Sequence, residues 1–424
     1  VRCREALWIA VALVLPTGPV AAEQVTALVG AEVHPVSGPV LPEATVLVRG
    51  ERILAVGRGL AVPAGARVLD CRGQRITPGL VDSDGSVGLV EIELEQSTVD
   101  DTPQRADPVR AAVRAQDAID LRSSLVAVSR RHGVTSVVSL PRGGLVSGQS
   151  AWVDLVEPGS PLAAQAVRGP TAMHFVLGEA GADAAEGSRA VAMLRLRELL
   201  EDARVFRKNR GAFERATLYE LSASRLDLEA LAPVLDGQLP VVAAVSRAAD
   251  IQALLAFARE QRIRLALLGA EEAWLVASEL AAAKVPVIVD PLANLPATFE
   301  SRHARSDNAA LLAAAGVEVA IATRRSHNAS SLRFNLGNAV RAGLSPELAL
   351  RGATLVPARI FGVERDHGTL EPGKVADLVV WTGDPFEPSA HAASVMIRGE
   401  LQGTDSRQTR LARRYLHKLG LPRK

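Results

Sequence analysis

The stretch TRRSHNASSLRF, residues 323–334, follows directly on an apolar run, VEVAIAT. Arg324, Asn328 and Arg333 bring guanidinium and amide donors close together, and a guanidinium can grip a carboxylate by two parallel hydrogen bonds. His327 adds a group that can take or give a proton near neutral pH. Asp84, in ITPGLVDSDGSVGL, is the second acid–base candidate. Further ligand-binding candidates end or follow other apolar runs: Arg142 and Gln149 in LPRGGLVSGQS, where glycines permit close backbone approach, then Glu179, Ser246 and Asp290. These residues predict a cradle for a small molecule, a carboxylate or an amide. A tight metal site is not expected. The eight histidines show neither H-x-H nor H-x-x-x-H spacing, and catalytic zinc normally takes three protein ligands. The expectation is therefore no metal and no cofactor, with zinc entering only if distant histidines converge.

The elements that must hold these side chains can be read from hydrophobic periodicity. Apolar runs at 133–140, 239–245, 263–269, 285–290 and 317–323 suit strands buried on both faces, as in parallel sheets. Helical segments separate several of them. In ADIQALLAFAREQR the residues Ile251, Leu254, Leu255 and Ala258 form one stripe, and Ser345-Pro346 opens another helix with a cap and a first-turn proline. Alternating strands and helices over 80–363 predict a TIM-like (β/α)8 barrel, whose ligand sites lie at the C-terminal ends of the strands. Both ends of the chain look β-rich instead. Arg49-Gly50-Glu51-Arg52 reads as a hairpin and Pro372-Gly373 as a type II turn. Segments 23–79 and 364–403 are each too small to stand alone and are expected to fold together as a composite β-sandwich. The tail 404–424 is read as a terminal helix whose Leu411, Tyr415 and Leu419 pack on the barrel.

The chain has 424 residues, 48% apolar, 22% charged and 3% aromatic, so its core must be aliphatic. Arg2 and Arg4 precede an apolar stretch too short to span a bilayer, and Val20-Ala21-Ala22 resembles a cleavage site, so residues 1–22 are expected to be a signal peptide and the protein exported. Removing them takes away Arg2, Arg4 and Glu5, which leaves 46 basic and 46 acidic residues. That balance argues against a nucleic-acid partner. No transmembrane segment is expected in the mature chain, and a homo-oligomer is left open. Cys71 is the only cysteine beyond the signal, so no intrachain disulfide is expected.

The motif PGLVDSDGS resembles the amidohydrolase superfamily signature P-G-L-[IV]-D-x-H-x-H. ATLVPARIFGV followed by GTLEPGKVADLVVW resembles that superfamily's C-terminal pattern, and DPLANLPATFESRHARSDNAALLAAAGVEVAIAT is similar to its imidazolonepropionase-like branch. The resemblance implies the barrel, the composite sandwich and hydrolysis of non-peptide carbon–nitrogen bonds in small or cyclic amides. It also implies metal ligands at positions that here read Asp84, Ser86, Ala244, Ser246, Leu268 and Arg324. The alternatives kept open are a barrel without catalysis that binds a small anion, and an enzyme that uses carboxylate and histidine as acid and base.

Overall fold

A computed structural model of the chain describes residues 24–420 except 104–106, 216–218, 294, 325 and 404, together with the backbone but not the side chains of 326–328. The signal-peptide reading of 1–22 therefore lies outside the described residues.

The N-terminal strands are β1 (Val25–Val33), β2 (Leu41–Arg49), β3 (Arg52–Arg58), β4 (Arg67–Asp70) and β5 (Arg75–Pro78). The hairpin read from Arg49–Arg52 is present. Gly50 takes φ +52°, and Arg49 faces Arg52 across it.

The barrel follows: β6 (Leu80–Gly85), β7 (Val134–Ser139), β8 (Val146–Gln149), β9 (Ala151–Asp154), the short β10 (Val167–Arg168), β11 (Met173–Val176), β12 (Val241–Val245), β13 (Leu265–Gly269), β14 (Val287–Val289) and β15 (Val319–Ile321). Every apolar run singled out above forms one of these strands. One feature departs from a regular (β/α)8 barrel. β8 and β9 are nearly continuous, and β9 pairs antiparallel with β7 while β8 pairs antiparallel with β11. They fill one place in the ring with a strand running against its neighbours, while β6–β7 and β11 through β15 are parallel. The ring meets between β15 and β6 through a side chain: Thr323 donates its backbone N–H (3.0 Å) and hydroxyl (2.5 Å) to the buried Asp82.

The central cluster of the barrel is aliphatic apart from Trp152 and Phe361. Val81, Val138, Val242, Ala266, Ile288 and Ala320 pack in one cluster, with Val356, Ala358 and Ile360 of the helix Leu355–Ile360 against it. The helix Ala248–Gln261 buries Ile251, Leu254, Leu255 and Ala258 as its stripe requires. Ser345 caps the helix Pro346–Gly352 by accepting from the Leu348 N–H at 3.2 Å.

The chain then returns to the first sheet. Strands β16 (Leu378–Trp381), β17 (Ala392–Ile397) and β18 (Glu400–Leu401) extend it, because β16 pairs antiparallel with β5. The chain ends thus share one eight-stranded sheet around a common core that includes Leu28, Val46, Ile76, Leu378 and Met396. Gly373 takes φ +88° in the Pro372-Gly373 turn, the left-handed conformation that glycine accepts without steric cost. Gly133 marks where sandwich and barrel touch: a Cβ there would lie 2.2 Å from the Trp381 ring.

The tail does form a helix, Arg407–Lys418, capped by Ser406. It buries no side chain, and Leu411, Tyr415 and Leu419 are exposed, so the expected packing on the barrel is absent. Five of its twelve residues are lysine or arginine, and three spaced apolar side chains give too narrow a stripe to bury. No helix among the described residues is long and apolar enough to cross a membrane.

Candidate functional site

Side chains from the C-terminal ends of several strands converge at the barrel mouth. Asp84, fully buried at the end of β6, accepts a hydrogen bond from Arg142 Nη2 at 2.7 Å. Arg142 also reaches Asp101 at 3.3 Å, and Ser86 donates to the same Asp101 oxygen at 2.6 Å. On the other side Arg324 donates to Glu271 at 2.8 Å and lies 3.6 Å from Asp84 Oδ2. Arg324 holds φ +59°, a conformation rare outside glycine, and it is the side chain that turns back toward Asp84. Burial works against the charge on Arg142, but Asp84 and Asp101 outweigh it and raise its pKa.

Four buried polar atoms in this region have no hydrogen-bond partner among the described residues: Asp84 Oδ2, Glu271 Oε2, His174 Nε2 and Ser83 Oγ. Burial drives the His174 pKa down to about 3, so its ring is neutral at physiological pH, with one nitrogen free to accept. Burial, opposed by the Thr323 bonds, raises Asp82 to about 7. Asp290 is also raised, chiefly by burial, and feels Arg324, Asp84 and Glu271.

The predicted site residues divide into groups. Asp84, Arg142 and Arg324 come together as a cluster, and Asp290 is near enough to interact with it. Asn335 Nδ2 donates to Asp290 at 3.0 Å. Ser246 starts the loop after β12, where its carbonyl accepts from the Glu272 N–H at 3.1 Å. Glu179 is exposed on the short helix after β11. Two of the expected site residues lie elsewhere. Gln149 does not line the mouth: β8 runs antiparallel, so Gln149 lies level with Met173 at the start of β11, and its amide donates to the Ala111 carbonyl at 2.8 Å. Arg333 turns away from the mouth and donates to the Pro385 and Glu387 carbonyls at 3.1 and 2.8 Å, tying barrel to sandwich. The side chains of His327 and Asn328 lie outside the described residues.

The anion cradle expected around Arg324 is also corrected. Its guanidinium is engaged by Glu271 and Asp84, and among the described residues the carboxylates Asp84, Asp101 and Glu271 outnumber the Arg142 and Arg324 guanidiniums they pair with. Sequence reading missed Asp101 and Glu271. Glu271 follows the apolar run 263–269 as directly as Asp290 ends its own, and the same rule applied there finds it. His174 is buried, and it faces the electrostatic field of Asp84 and Arg142.

The residues at the mouth do not fit a metal ion. Ser86 is committed to Asp101, Ala244 and Leu268 offer no donor, and two guanidiniums hold Asp84. The expectation of no metal-holding group in the chain is nevertheless overturned at the opposite end of the barrel. There Asp154, His367 and Asp377, all buried, bring one candidate ligand atom each within 4.8 Å of one another. Asp154 accepts from Ser136 (2.9 Å), Trp152 Nε1 (2.8 Å) and Arg398 Nη1 (3.2 Å). His367 Nδ1 donates to Asp377 at 2.9 Å. Burial disfavours charge on His367, but Asp377 and Asp154 outweigh it and raise its pKa, while burial and the Asp377 charge raise Asp154.

Comparison with known proteins agrees with this architecture. The chain is 28% identical over 382 residues to amidohydrolase tasK of Hapsidospora irregularis, a match that takes in 79% of this chain and 38% of that protein. A shorter stretch of 73 residues is 44% identical to an imidazolonepropionase of Pseudomonas fluorescens, covering 16% of this chain and 18% of that one. The chain thus spans well under half the length of these curated relatives in either match. An amidohydrolase structure from Thermotoga maritima superposes with a TM-score of 0.80 at 26% identity, over 89% of this chain and 99% of the other. Molinate hydrolase, 17% identical with a TM-score of 0.57 over 90% and 95% of the two chains, shares the fold. The amidohydrolase family model matches residues 131–403. That family brings metal dependence with it, which further counts against the expected absence of a cofactor. With barrel, composite sandwich and most of the length in agreement, this chain belongs to the amidohydrolase family and is related to its imidazolonepropionase-like branch.

Proposed function

We propose that the protein acts on the carbon–nitrogen bond of a small non-peptide amide, linear or cyclic, held at the barrel mouth. The observation that carries this is the set of buried acceptors that accept no hydrogen bond among the described residues, Asp84 Oδ2, Glu271 Oε2 and His174 Nε2, beside the guanidiniums of Arg142 and Arg324. An amide presents the complement: N–H donors for the carboxylates and a carbonyl oxygen for an arginine. A buried acceptor left unpaired costs about 1–3 kcal/mol, so a ligand that supplies donors there gains the difference. Glu271 is the group to accept a proton from an attacking water. Arg324 holds its other oxygen at 2.8 Å and keeps the carboxylate oriented. In that step the water oxygen attacks the carbonyl carbon, Glu271 takes the proton, and the proton passes to the leaving nitrogen as the C–N bond breaks. The test is product formation from a panel of small linear and cyclic amides, followed by mass spectrometry, with and without added zinc. Turnover of at least one amide supports the reading, and none under either condition contradicts it.

A second reading, a barrel that binds such a compound without turning it over, is favoured by one observation. Both oxygens of Asp84 face arginines, which already occupy the carboxylate. Saturable binding of an amide without product separates this reading from the first. Export, read from residues 1–22, remains part of the proposal, and mass spectrometry of the N-terminus of protein recovered from the cell envelope checks it.

A further inference from the structure

We propose that the tail helix, Arg407–Lys418, is a docking surface for an anionic lipid bilayer, on whose headgroups it lies flat. The proposal does not depend on what the barrel mouth does.

The helix forms without a partner. Ser406 and Thr409 close a capping box at its start, and His417 and Lys418 in its last turn suit the helix dipole. A turn of 3.6 residues then divides its surface into three faces. The first rests on the protein: Ser406 is buried, Thr409 and Leu416 are half-buried, and Arg413 pairs with Asp405. The second is apolar and faces away. Leu411, Tyr415 and Leu419 repeat every four residues and are 39, 55 and 70% exposed. The third is cationic and borders the second. Arg410, Arg414 and Lys418 also repeat every four residues, and Lys418 Nζ lies 5.7 Å from the centre of the Tyr415 ring.

Charge and shape together indicate the partner. The helix has five lysines and arginines and no acidic residue. Arg413 meets Asp405, and the charge of Arg407 is felt by Glu91. Arg410, Arg414 and Lys418 make no ion pair among the described residues, so three positive charges are left over. The apolar stripe is too narrow to seat the helix on a protein core. At a bilayer it has only to enter the headgroup boundary, about 5–10 Å deep, while the cations meet lipid phosphates. Tyrosine in the middle of the stripe suits that depth, because its ring takes the apolar side and its hydroxyl the wet one. Twelve residues span about 18 Å, too short to cross the hydrocarbon core. A nucleic acid or an acidic protein segment would satisfy the cations but leave the exposed Leu411 and Leu419 without a role. Each lysine or arginine beside an anionic membrane strengthens binding about fivefold, so the three unpaired cations supply about a hundredfold.

The test mixes the full chain with vesicles of phosphatidylcholine alone or of phosphatidylcholine with phosphatidylglycerol, and reads the bound fraction by sedimentation. Binding is expected to the anionic vesicles only, and it should be lost at about 1 M salt, where the Debye length falls to about 3 Å. Arg410→Gln, Arg414→Gln and Lys418→Gln together should weaken it about a hundredfold. Leu411→Ser with Tyr415→Ser should weaken it about tenfold or more. All five side chains are exposed, so the melting temperature should not move. Tyr415→Trp gives a second reading: its indole emission should shift to the blue with anionic vesicles and not with poly-glutamate, a soluble polyanion. No binding to anionic vesicles, equal binding to phosphatidylcholine alone, or binding unchanged in either set of variants would each overturn the proposal. An emission shift with poly-glutamate rather than with vesicles would also overturn it and assign the helix to an acidic protein partner.

Discussion

The two ends of the barrel are both rich in buried charge, but they treat it differently. At the floor, each oxygen of Asp154 and Asp377 has a donor, supplied by Ser136, Trp152, His367 and Arg398. At the mouth, Asp84 and Glu271 each have one oxygen paired with an arginine and one without a hydrogen bond among the described residues. A buried polar group left unpaired is costly. Carboxylates bonded at both oxygens hold two parts of a fold together, and half-bonded ones are what a ligand completes. The contrast is what the proposed function rests on: a structural role at the floor and a ligand at the mouth.

The largest effect that bears on this contrast should come from Arg398→Met at the floor. It leaves Asp154 buried without its cation and frees Glu51, and breaking a buried pair in this way costs about 3–5 kcal/mol. Urea unfolding of the variant measures the loss, and a loss below about 1 kcal/mol would show that the floor is not a clamp.

Arg324→Ala comes next. Its side chain is a third exposed, so its ion pairs with Glu271 and Asp84 are partly screened. A stability loss of about 1–2 kcal/mol is expected, with no change in affinity for small carboxylates. Calorimetry that finds carboxylate binding weakened about ten- to a hundredfold, with the melting curve unmoved, would restore the anion site read from sequence.

Smaller still is a pH effect at the seam between β6 and β15. Asp82 is raised from 3.8 to about 7 in the fold, mainly by burial against the bonds from Thr323, with the Asp84 charge adding to the rise. Between those values the folded chain holds more protons than the unfolded one. This contribution to stability is therefore full below about pH 4 and is lost progressively as pH rises through 7. Asp82→Asn should flatten the melting temperature over that window relative to wild type, and an unchanged slope would assign the pH dependence elsewhere. At the bottom of the scale, Glu179→Ala on the exposed rim should stay within about 0.5 kcal/mol of wild type in unfolding.

The sequence made the frame legible because frame signals are local. A run such as VPVIVD or the turn Pro372-Gly373 carries its own instruction, and the strands fall where such runs occur. The strand β8–β9 was not legible in the same way. VSGQSAWVD has glycine and serine where a buried strand would show branched residues, and its antiparallel direction depends on neighbours at both sides. That reversal is also why Gln149 was misplaced. The site was half legible. Asp84, Arg142 and Arg324 were found because they follow strands, but what they do was not, since the partners that occupy them, Asp101 and Glu271, come from other loops. The floor cluster draws on Asp154 and on residues more than two hundred positions later, a separation at which no spacing rule operates.

The central claim is that the mouth, not the floor, is where this chain meets a small amide. The direct measurement is the amide panel repeated with Glu271→Gln, which keeps the shape and the contact with Arg324 but removes the carboxylate. The account predicts that turnover of any amide processed by the wild type falls at least about tenfold, or, if the wild type only binds, that affinity falls by about the same factor, while the melting temperature changes little. Turnover and binding equal to wild type in Glu271→Gln would contradict it.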